Sequence, residues 1–572
     1  MNKASLLGLI LVTSCMSACD KRELGVESAD NAPAPEKTKV AQGTGKTGFL
    51  TGKAQQFEKE LHQHIKVLAS DEFEGRAPAT PGEEKTGEYL KGEFLALGME
   101  PGNGSSFFQP VPVAEILTDP TASIELQGKG YQASLAYSTQ MMVFTQRQQT
   151  QIDIDNSDMV FVGYGINAPE RHWNDYADLD VRGKTVVILV NDPGFATQDP
   201  ALFNGNAMTY YGRWDYKYEE AARQGAAAAL IIHDTAPAAY PWEVVSNSWS
   251  GPQIHLQAED KGASKLKVEG WLHLASATAL LRAAGLDYDT LKMSAAKPGF
   301  KSIPLEITAS THLKNSIRNA ESKNVIAKIT GSEFPDEYMV YMAHWDHLGR
   351  DPSREGDQIF NGAVDNASGT AGLLALARVF KEVKPKRSVL FMAVTAEESG
   401  LLGSQFYAEN PIYPLSQTVG AINMDALSSI GLVNDVQVIG YSFNQLEDYL
   451  TKYVTEQNRY IVPDQNTEKG YYFRSDHFSL AKYGVPALYA EGGVDSVVHG
   501  KAWGEQHQKE YTADRYHKPG DEYHADMDLS GAAQDLVLFL AVGNDLANSR
   551  DWPEWKEGSE FKLIREKSRS GL

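Results

Sequence analysis

Hydrophobic and polar positions divide the chain into stretches of different texture. Residues 54–70 and 82–98 repeat apolar positions at helical spacing, and the second stretch ends at Gly98. This periodicity predicts two amphipathic helices near the start of the fold. Between about 118 and 300 the pattern changes to short apolar runs separated by turns, among them VFVGYGI, KTVVILVND and AAAALIIHD. Such runs predict a β-rich unit.

Beyond about residue 303, strand-like and helix-like segments alternate. Runs such as EYMVYMAHW, SVLFMAVTA, TVGAINMDA and VPALYAEG are typical of buried strands, whereas SGTAGLLALARVFKEV and GAAQDLVLFLAVGNDLA are typical of helices. This alternation predicts an α/β fold, a three-layer α/β/α sandwich around a mixed, mostly parallel central sheet. In the simplest organisation, the β-rich unit of 118–300 is inserted into this α/β unit.

The composition of the chain argues against some classes of binding partner. The 572 residues carry 53 basic and 75 acidic side chains, a formal charge of -22, which argues against nucleic acid and against anionic membrane surfaces. The two cysteines, Cys15 and Cys19, both lie near the start of the chain. A metal site in the folded body would therefore use histidine, aspartate and glutamate side chains as ligands.

The first residues have the features of an export signal. In MNKASLLGLILVTSCMSAC, one basic residue, a short apolar run and small residues precede Cys19, which predicts a signal peptide over 1–18 and resembles a bacterial lipoprotein signal. Cys15 is the alternative lipidation site, and an ordinary cleaved signal is the alternative interpretation. Residues 19–53 lack periodicity and predict a flexible tether. We therefore expect a periplasmic or surface lipoprotein of a bacterial cell envelope, or alternatively a secreted protein, with membrane contact only through the lipid.

Acidic and imidazole side chains follow the predicted strands where the strands end. Glu397 and Glu398 come directly after SVLFMAVTA. Neighbouring side chains along a strand point to opposite faces of the sheet. Two adjacent carboxylates at the end of this strand therefore indicate that the chain turns there and that both carboxylates have a functional role. The carboxyl ends of parallel strands meet at one sheet edge, where sites collect in α/β folds. We therefore predict one shared metal site from groups at successive strand ends: His344, Asp346, Asp365, Glu397, Glu398, Asp425, His517 and Asp521.

Several longer motifs follow one another in a specific order: AHWDHLG, NGAVDNASGTAGLL, TAEESGLLGS, INMD, RSDHFSL and RYHKPGDE. Together they resemble the secreted bacterial di-zinc aminopeptidase family, whose relatives include glutamate carboxypeptidase II, the transferrin receptor ectodomain and the glutaminyl cyclases. The resemblance covers 54–117 and 301–551, which would be two parts of one catalytic domain. The segment 118–300 resembles the protease-associated domain inserted in some members, and 552–572 would be a C-terminal tail.

The resemblance implies two Zn²⁺ ions per chain. The implied ligands are His344 and Asp425 on the first ion, Asp365 between the ions, and Glu398 and His517 on the second. A bridging carboxylate can hold two ions about 3.5–4 Å apart, close enough to share a hydroxide that attacks the peptide bond.

The resemblance also implies catalytic roles for further residues. Glu397 would be the general base, taking a proton from the attacking water and returning it to the leaving amine. Asp346 and Asp521 would orient the two histidine ligands, as carboxylates commonly do beside zinc. Tyr516 would stabilise the negatively charged oxygen that forms during the reaction.

Other functions occur in the same fold. They are a carboxypeptidase of the glutamate carboxypeptidase type, a glutaminyl cyclase with one zinc ion, and a non-catalytic receptor ectodomain. The complete set of ligands and base favours a two-zinc peptidase. The many carboxylates favour peptide substrates with a free amino terminus, because a terminal carboxylate would need arginines, for which Arg474 and Arg213 are the only candidates. His347 and His477 are expected to have structural roles.

Overall fold

The computed structural model describes residues 50, 52–177 and 179–570. The predicted signal peptide, both cysteines and nearly all of the predicted tether lie outside the described residues. Among the regular helices that the structure describes, the first begins at Lys53.

A mixed β-sheet forms the centre of the molecule. Four neighbouring strands in its middle run parallel, in the order Arg387–Val394, Phe334–His344, Thr418–Asn423 and Ala487–Gly492. The sheet continues on one side with Ile303–Ile329, Phe108–Thr118, Gln253–Leu256 and Glu100–Pro101, and on the other with Asp435–Ile439 and Tyr460–Pro463. This arrangement confirms the predicted mixed, mostly parallel sheet.

Helices cover both faces of the central sheet. Side chains alternate between the two faces along each strand, so each buried strand presents apolar side chains to the helices on both sides. In Phe334–His344, Tyr341 and Ala343 pack into the core on one face, whereas Val340 and Met342 pack into the core on the other. The first face is covered by Lys53–Leu68, Pro81–Ala96, Gly369–Val383, Leu446–Glu456 and Ser530–Asn548, and the second by Leu402–Glu409 and His477–Ala481. The predicted three-layer α/β/α sandwich is confirmed.

The insert contains a second sheet with an apolar core on each face. Its own strands are Ser123–Gly128, Tyr131–Ala136, Met141–Phe144, Gln151–Phe161, Thr185–Leu189, Ala228–His233 and Val268–His273. Its helices are Pro193–Thr197, Trp214–Arg223, Thr235–Ala238, Trp242–Ser248, Leu274–Ala283 and Tyr288–Ala295. The resemblance of this unit to a protease-associated domain stays a prediction.

One long strand, Ile303–Ile329, joins the two sheets. Its first part pairs with Ser123–Gly128 and Gln151–Phe161 in the insert. Its later residues pair with Phe108–Thr118 and Arg387–Val394 in the central sheet. The expected boundary at residue 300 thus lies just before a strand that both units share, and the domain limits stay a prediction.

Shorter elements complete the described fold. They are the helices Lys501–Asp514 and Lys562–Ser570, and two pairs of short strands, Asn167–Ala168 with Trp173–Asn174 and Gly349–Arg350 with Ile359–Phe360. Among the residues that the structure describes, no helix has the length and apolar character needed to span a membrane.

Aromatic and charged contacts hold the insert against the α/β unit. The Tyr210 ring packs against the rings of Phe478 and Phe561, with centroids 5.1 and 6.5 Å apart. The Lys482 ammonium lies 2.7 Å from the Glu219 carboxylate. A cleft remains between the two units, lined by residues of both.

Candidate metal centre

Three adjacent strands end at the same edge of the central sheet, and each brings site residues to it. His344 is the last residue of the middle strand, Glu397 and Glu398 follow one neighbouring strand, and Asp425 follows the other. Because the three strands run parallel, their carboxyl ends lie side by side. The order of strands in the sheet therefore gathers groups that are far apart in the sequence.

The first ligand group consists of His344, Glu397 and Asp425, whose ligand atoms all lie within 4.8 Å of one another. His344 Nε2 lies 3.2 Å from Asp425 Oδ1 and 3.3 Å from Asp365 Oδ1. Ser475 Oγ donates a hydrogen bond to the other oxygen of Asp425 at 2.6 Å. The serine thus fixes the carboxylate with one oxygen toward the imidazole.

The second ligand group surrounds Glu398. Glu398 Oε2 lies 3.1 Å from His517 Nε2, and Glu398 Oε1 lies 2.7 Å from His347 Nδ1. His517 Nε2 is also 3.2 Å from Asp365 Oδ2. His347, Asp365 and Glu398 offer ligand atoms that lie within 4.8 Å of one another.

Asp365 connects the two groups. One of its carboxylate oxygens faces His344 in the first group, and the other faces His517 in the second. A carboxylate that presents one oxygen to each of two ligand groups has the arrangement of a bridging ligand. The structure thus brings together all five predicted ligands and Glu397.

The chain turns immediately before the glutamate pair. Ala396 has a positive φ of 52°, and beyond this turn the alternation of a strand no longer applies, so Glu397 and Glu398 can both face the cluster. Ala426 and His517 also have positive φ, 57° and 54°. Such backbone conformations cost about 1–3 kcal/mol each and collect at functional sites.

Asp346 supports the site in a different way from the prediction. Its Oδ1 lies 3.8 Å from His344 Nδ1, too far for a hydrogen bond, and this nitrogen instead lies 3.2 Å from the main-chain oxygen of Asp346. The carboxylate accepts the backbone N–H groups of Glu397 and Glu398 at 3.1 and 3.4 Å. Through these two hydrogen bonds, Asp346 holds the turn that carries the glutamates.

Asp521 also differs from its predicted role of orienting His517. The buried carboxylate accepts the backbone N–H groups of Val364 and Asp365, the latter at 3.0 Å. It therefore holds the loop of the bridging aspartate. The reason is topological, since the loop before Gly369–Val383 passes between Asp521 and the cluster.

His347 belongs to the site, although the sequence favoured a structural role for it. It is buried and contacts Glu398, and its Nε2 has no hydrogen-bond partner among the described residues. The available signal was its position, three residues after His344 at the same strand end. His477, by contrast, packs between two tyrosine rings with centroids 4.5 and 5.1 Å away, as a structural residue would.

The two adjacent glutamates have opposite electrostatic surroundings. Burial and the negative charges of Asp425 and Glu398 raise the pKa of Glu397 well above its usual value, although His344 opposes the shift. Burial also acts to raise the pKa of Glu398, but its hydrogen bonds to two histidines lower that pKa to about 2. Glu397 is thus suited to accept a proton, while Glu398 stays a carboxylate anion.

The cleft beside the cluster has a volume of about 680 Å³ and is lined by groups from both units. Tyr516 lies in this lining, with its ring stacked 3.9 Å from that of His517. Burial and the charges of Asp365 and Glu398 raise the pKa of Tyr516, so its phenol stays protonated and able to donate a hydrogen bond. Arg213 and Arg474 line the same cleft.

The donor set fits divalent metal ions. Four carboxylates, those of Asp365, Glu397, Glu398 and Asp425, are gathered in one largely buried cluster, where their repulsion has to be offset by cations. The nearby guanidinium of Arg76 is also buried but donates its hydrogen bonds to the main-chain oxygens of Leu68, Trp345, Asn361 and Gly362. Imidazole and carboxylate donors suit zinc, and also cobalt or manganese.

Comparisons with known proteins place this geometry in a family. Residues 324–541 match the model of Peptidase family M28. A probable zinc metalloprotease of Pyrenophora teres f. teres is 40% identical over 106 residues, which cover 18% of this chain and 22% of that protein. Aminopeptidase YwaD of Bacillus subtilis is 29% identical over 229 residues, covering 38% of this chain and 44% of the relative.

The chain thus spans less than half the length of these curated relatives. Among solved structures, an aminopeptidase from Aneurinibacillus sp. strain AM-1 aligns with a TM-score of 0.47 at 18% identity, over 89% of this chain and 96% of that one. The residues matched by the family model include the five predicted ligands and the predicted general base. They are His344, Asp365, Glu397, Glu398, Asp425 and His517. Residues 324–541, which lie in the α/β unit of this chain, are thus similar in sequence to Peptidase family M28.

Proposed function

We propose that this protein is a two-zinc aminopeptidase that hydrolyses residues from the free amino end of peptides. The observation that carries the proposal is Asp365, whose two oxygens face imidazoles of two separate ligand groups. A single metal ion would leave one of these groups without a cation. The names of the relatives, a zinc metalloprotease and an aminopeptidase, support the same activity.

The ligand groups assign residues to each ion. His344 and Asp425 would hold the first zinc ion, Glu398 and His517 the second, and Asp365 both. Bound zinc polarises a carbonyl group and lowers the pKa of water, which is the chemistry that peptide hydrolysis needs. His347, bonded to the outer oxygen of Glu398, would fix that carboxylate with its other oxygen toward the second ion.

The residues of the chain would move the protons. Glu397 would take a proton from the attacking water and pass it to the leaving amine, a role that its raised pKa favours. Tyr516, protonated and at the cleft wall, would donate a hydrogen bond to the oxygen that becomes negative. The carboxylate of Asp346 would keep Glu397 in place by accepting the backbone N–H group of Glu397.

A free amino terminus is the end of the substrate that this site would receive. Burial and the charge of Asp425 raise the pKa of Glu491 to about 8, so Glu491 holds a proton at neutral pH. An ammonium group placed beside Asp425 and Glu491 would lower that pKa and would be bound by the carboxylate that results. An uncharged or acetylated amino end would not.

The direct experiment compares an amino acid p-nitroanilide with its N-acetylated form on zinc-loaded protein. We expect zinc-dependent release of nitroaniline from the free compound and loss of at least about 100-fold in kcat/KM on acetylation, because an ammonium–carboxylate contact is removed. Hydrolysis of both compounds at equal rates, or of neither, would contradict an aminopeptidase.

We also propose that the protein is a lipoprotein of the bacterial cell envelope, anchored through Cys19. The proposal rests on the pattern of the first nineteen residues alone. Cys19→Ala should move the protein out of the membrane fraction. Unchanged fractionation of that variant would leave Cys15 as the lipid site or exclude the anchor.

A further inference from the structure

Two arginines, Arg213 and Arg474, line the cleft at the metal centre, and each has a buried Nε without a hydrogen-bond partner among the described residues. Among the described residues, the guanidinium of Arg474 makes no hydrogen bond or ion pair, and its Nε is buried. Arg213 is only 8% exposed, and its Nε also lacks a hydrogen-bond partner in the described part of the chain. The acidic group near Arg213 is Asp215, whose Oδ1 lies 3.5 Å from that nitrogen.

The two guanidinium groups come from the two units that line the cleft. Arg213 comes from the insert, just before the helix Trp214–Arg223, and Arg474 comes from the α/β unit. Aromatic rings support both groups, with Trp214 5.7 Å from Arg213 and Tyr471 5.5 Å from Arg474. Burial and the charge of Arg213 lower the pKa of Arg474, so the two cations lie near enough to repel each other.

Arg474 also lies next to the chemistry. The following residue, Ser475, donates its hydroxyl hydrogen to Asp425 in the first ligand group. Tyr516 lies close enough to Arg474 to act on the pKa of the guanidinium, which it raises. A substrate held at the metal centre would therefore extend past Arg474 within one or two residues of the bond that is cut.

The unpaired guanidinium of Arg474 favours an anionic guest. Two divalent ions would neutralise the four carboxylates of the cluster, and Asp215 forms an ion pair with Arg213, which leaves Arg474 without an acidic partner in the described part of the chain. Lys482, another cation of the lining, is already paired with Glu219 at 2.7 Å. Buried charges without a partner are costly, and a guanidinium binds carboxylates with paired hydrogen bonds.

We propose that Arg213 and Arg474 bind a carboxylate of the substrate on the leaving side of the cleaved bond. This inference rests on the proposed aminopeptidase function, in which the ammonium end lies with Asp425 and Glu491. In this assignment the anionic group belongs to the residues after the bond. It is either the free carboxyl end of a dipeptide or tripeptide or an acidic side chain, and the first source makes short peptides the preferred substrates.

The test uses two matched pairs of substrates on the full-length, zinc-loaded enzyme. Alanyl-alanine is compared with its C-terminal amide, which tests the carboxyl end. Alanyl-aspartic amide is compared with alanyl-asparagine amide, which tests an acidic side chain. In at least one pair we expect the carboxylate-bearing member to be preferred by about 10- to 100-fold in kcat/KM, mainly through KM, as charged hydrogen bonds predict.

Variants assign that preference to the arginines. Arg474→Ala and, separately, Arg213→Ala should reduce it to about 1 to 3-fold while zinc content and kcat/KM for the uncharged member stay within about 2-fold. Lys265→Ala is the matched control, since Lys265 is a cation of the same lining; it should keep the preference. Arg474→Lys should restore part of it.

Two results would overturn the inference. One is a wild-type enzyme that shows no preference in either pair; the other is a preference that survives in both arginine variants. Hydrolysis of alanine p-nitroanilide, which has no carboxylate, reports separately on the aminopeptidase function. If that compound is cleaved while no carboxylate preference exists, the carboxylate site is wrong and the proposed function stands.

Discussion

Two regions of this molecule bury clusters of ionisable side chains, and they balance charge in different ways. In the insert, Asp175, Asp192 and Lys217 are at most 3% exposed and influence one another electrostatically. At the edge of the central sheet, four carboxylates surround three histidines. The first cluster contains its own cation, whereas the second depends on ions from outside.

The insert cluster is satisfied within the chain. Asp192 accepts the backbone N–H and the hydroxyl of Thr209, at 3.0 and 2.8 Å. Asp175 accepts the indole N–H of Trp173 at 2.8 Å. Lys217 Nζ donates to a main-chain oxygen at 2.6 Å and lies close to both aspartates. Such a cluster explains why this region folds in one way, and it leaves nothing for a ligand.

The metal centre lacks this internal balance. Among the residues that the structure describes, no lysine or arginine forms an ion pair with Asp365, Glu397, Glu398 or Asp425. The ion-pair partners of Asp365, Glu398 and Asp425 are histidines, and Glu397 has none in this part of the chain. A buried cluster without a fixed cation is stable only when it binds metal ions or protons. The difference between the two regions thus separates a structural cluster from a functional one.

The largest expected effect distinguishes two roles inside the metal centre. Glu397→Gln should lower kcat by about 100- to 10,000-fold, because a general base is lost. Zinc content should stay unchanged, because Glu397 is not among the predicted ligands. Turnover on an amino acid p-nitroanilide and metal analysis of the same sample measure both quantities. Normal activity would remove Glu397 from the mechanism, and lost zinc would make it a ligand.

A pair of aspartate variants tests the comparison itself. Asp192→Ala should destabilise the protein by about 2–4 kcal/mol, because it leaves the buried backbone N–H and hydroxyl of Thr209 without their acceptor, and should not reduce zinc content per folded chain. Asp365→Ala should reduce bound zinc, because it removes the carboxylate that faces the imidazoles of both ligand groups. Urea unfolding and metal analysis separate the two outcomes.

The reverse pattern would contradict the comparison. If Asp192→Ala lost zinc while Asp365→Ala mainly unfolded the protein, the insert cluster would be part of the functional site.

A smaller effect sharpens the comparison at Glu269, a buried carboxylate of the insert that forms no ion pair among the described residues, although the charge of Lys265 opposes the rise in its pKa. Gln146 Nε2 donates to both of its oxygens, and burial raises its pKa to about 7. The folded state therefore holds this proton up to a higher pH than the unfolded state does. Stability from this source is present at low pH and is lost as pH rises from about 4.5 to 7.

Glu269→Gln should remove this loss of folding stability with rising pH. Between pH 4.5 and 7.5, the wild type should lose about 2–3 kcal/mol more in unfolding free energy than the variant does. Urea unfolding at the two pH values measures the difference. Equal pH dependence of the two proteins would mean that Glu269 is charged in the fold, and that the insert tolerates an unbalanced carboxylate.

Much of the α/β unit, and the set of side chains gathered at its sheet edge, could be predicted from the sequence. Long apolar runs identified the strands, and His344, Glu398 and Asp425 followed them at one shared edge. That edge is fixed by parallel pairing, so the order of motifs alone was enough to gather the ligands.

The supporting contacts could not be predicted, because they depend on the paths of loops. Asp346 binds the backbone of the glutamate turn, and Asp521 binds the loop of Asp365, both in place of the histidines expected as their partners. His347 looked structural because a histidine at a strand end usually is. Only the folded position of Glu398 shows that His347 contacts a ligand.

The number of zinc ions per chain tests the central claim most directly. Protein stripped of metal, reloaded with excess zinc and freed of unbound ions should contain two zinc ions per chain by elemental analysis, and Asp365→Ala should contain fewer. A wild-type value of one would fit a single-zinc site such as that of a glutaminyl cyclase. A value of one or of zero would contradict the two-metal centre.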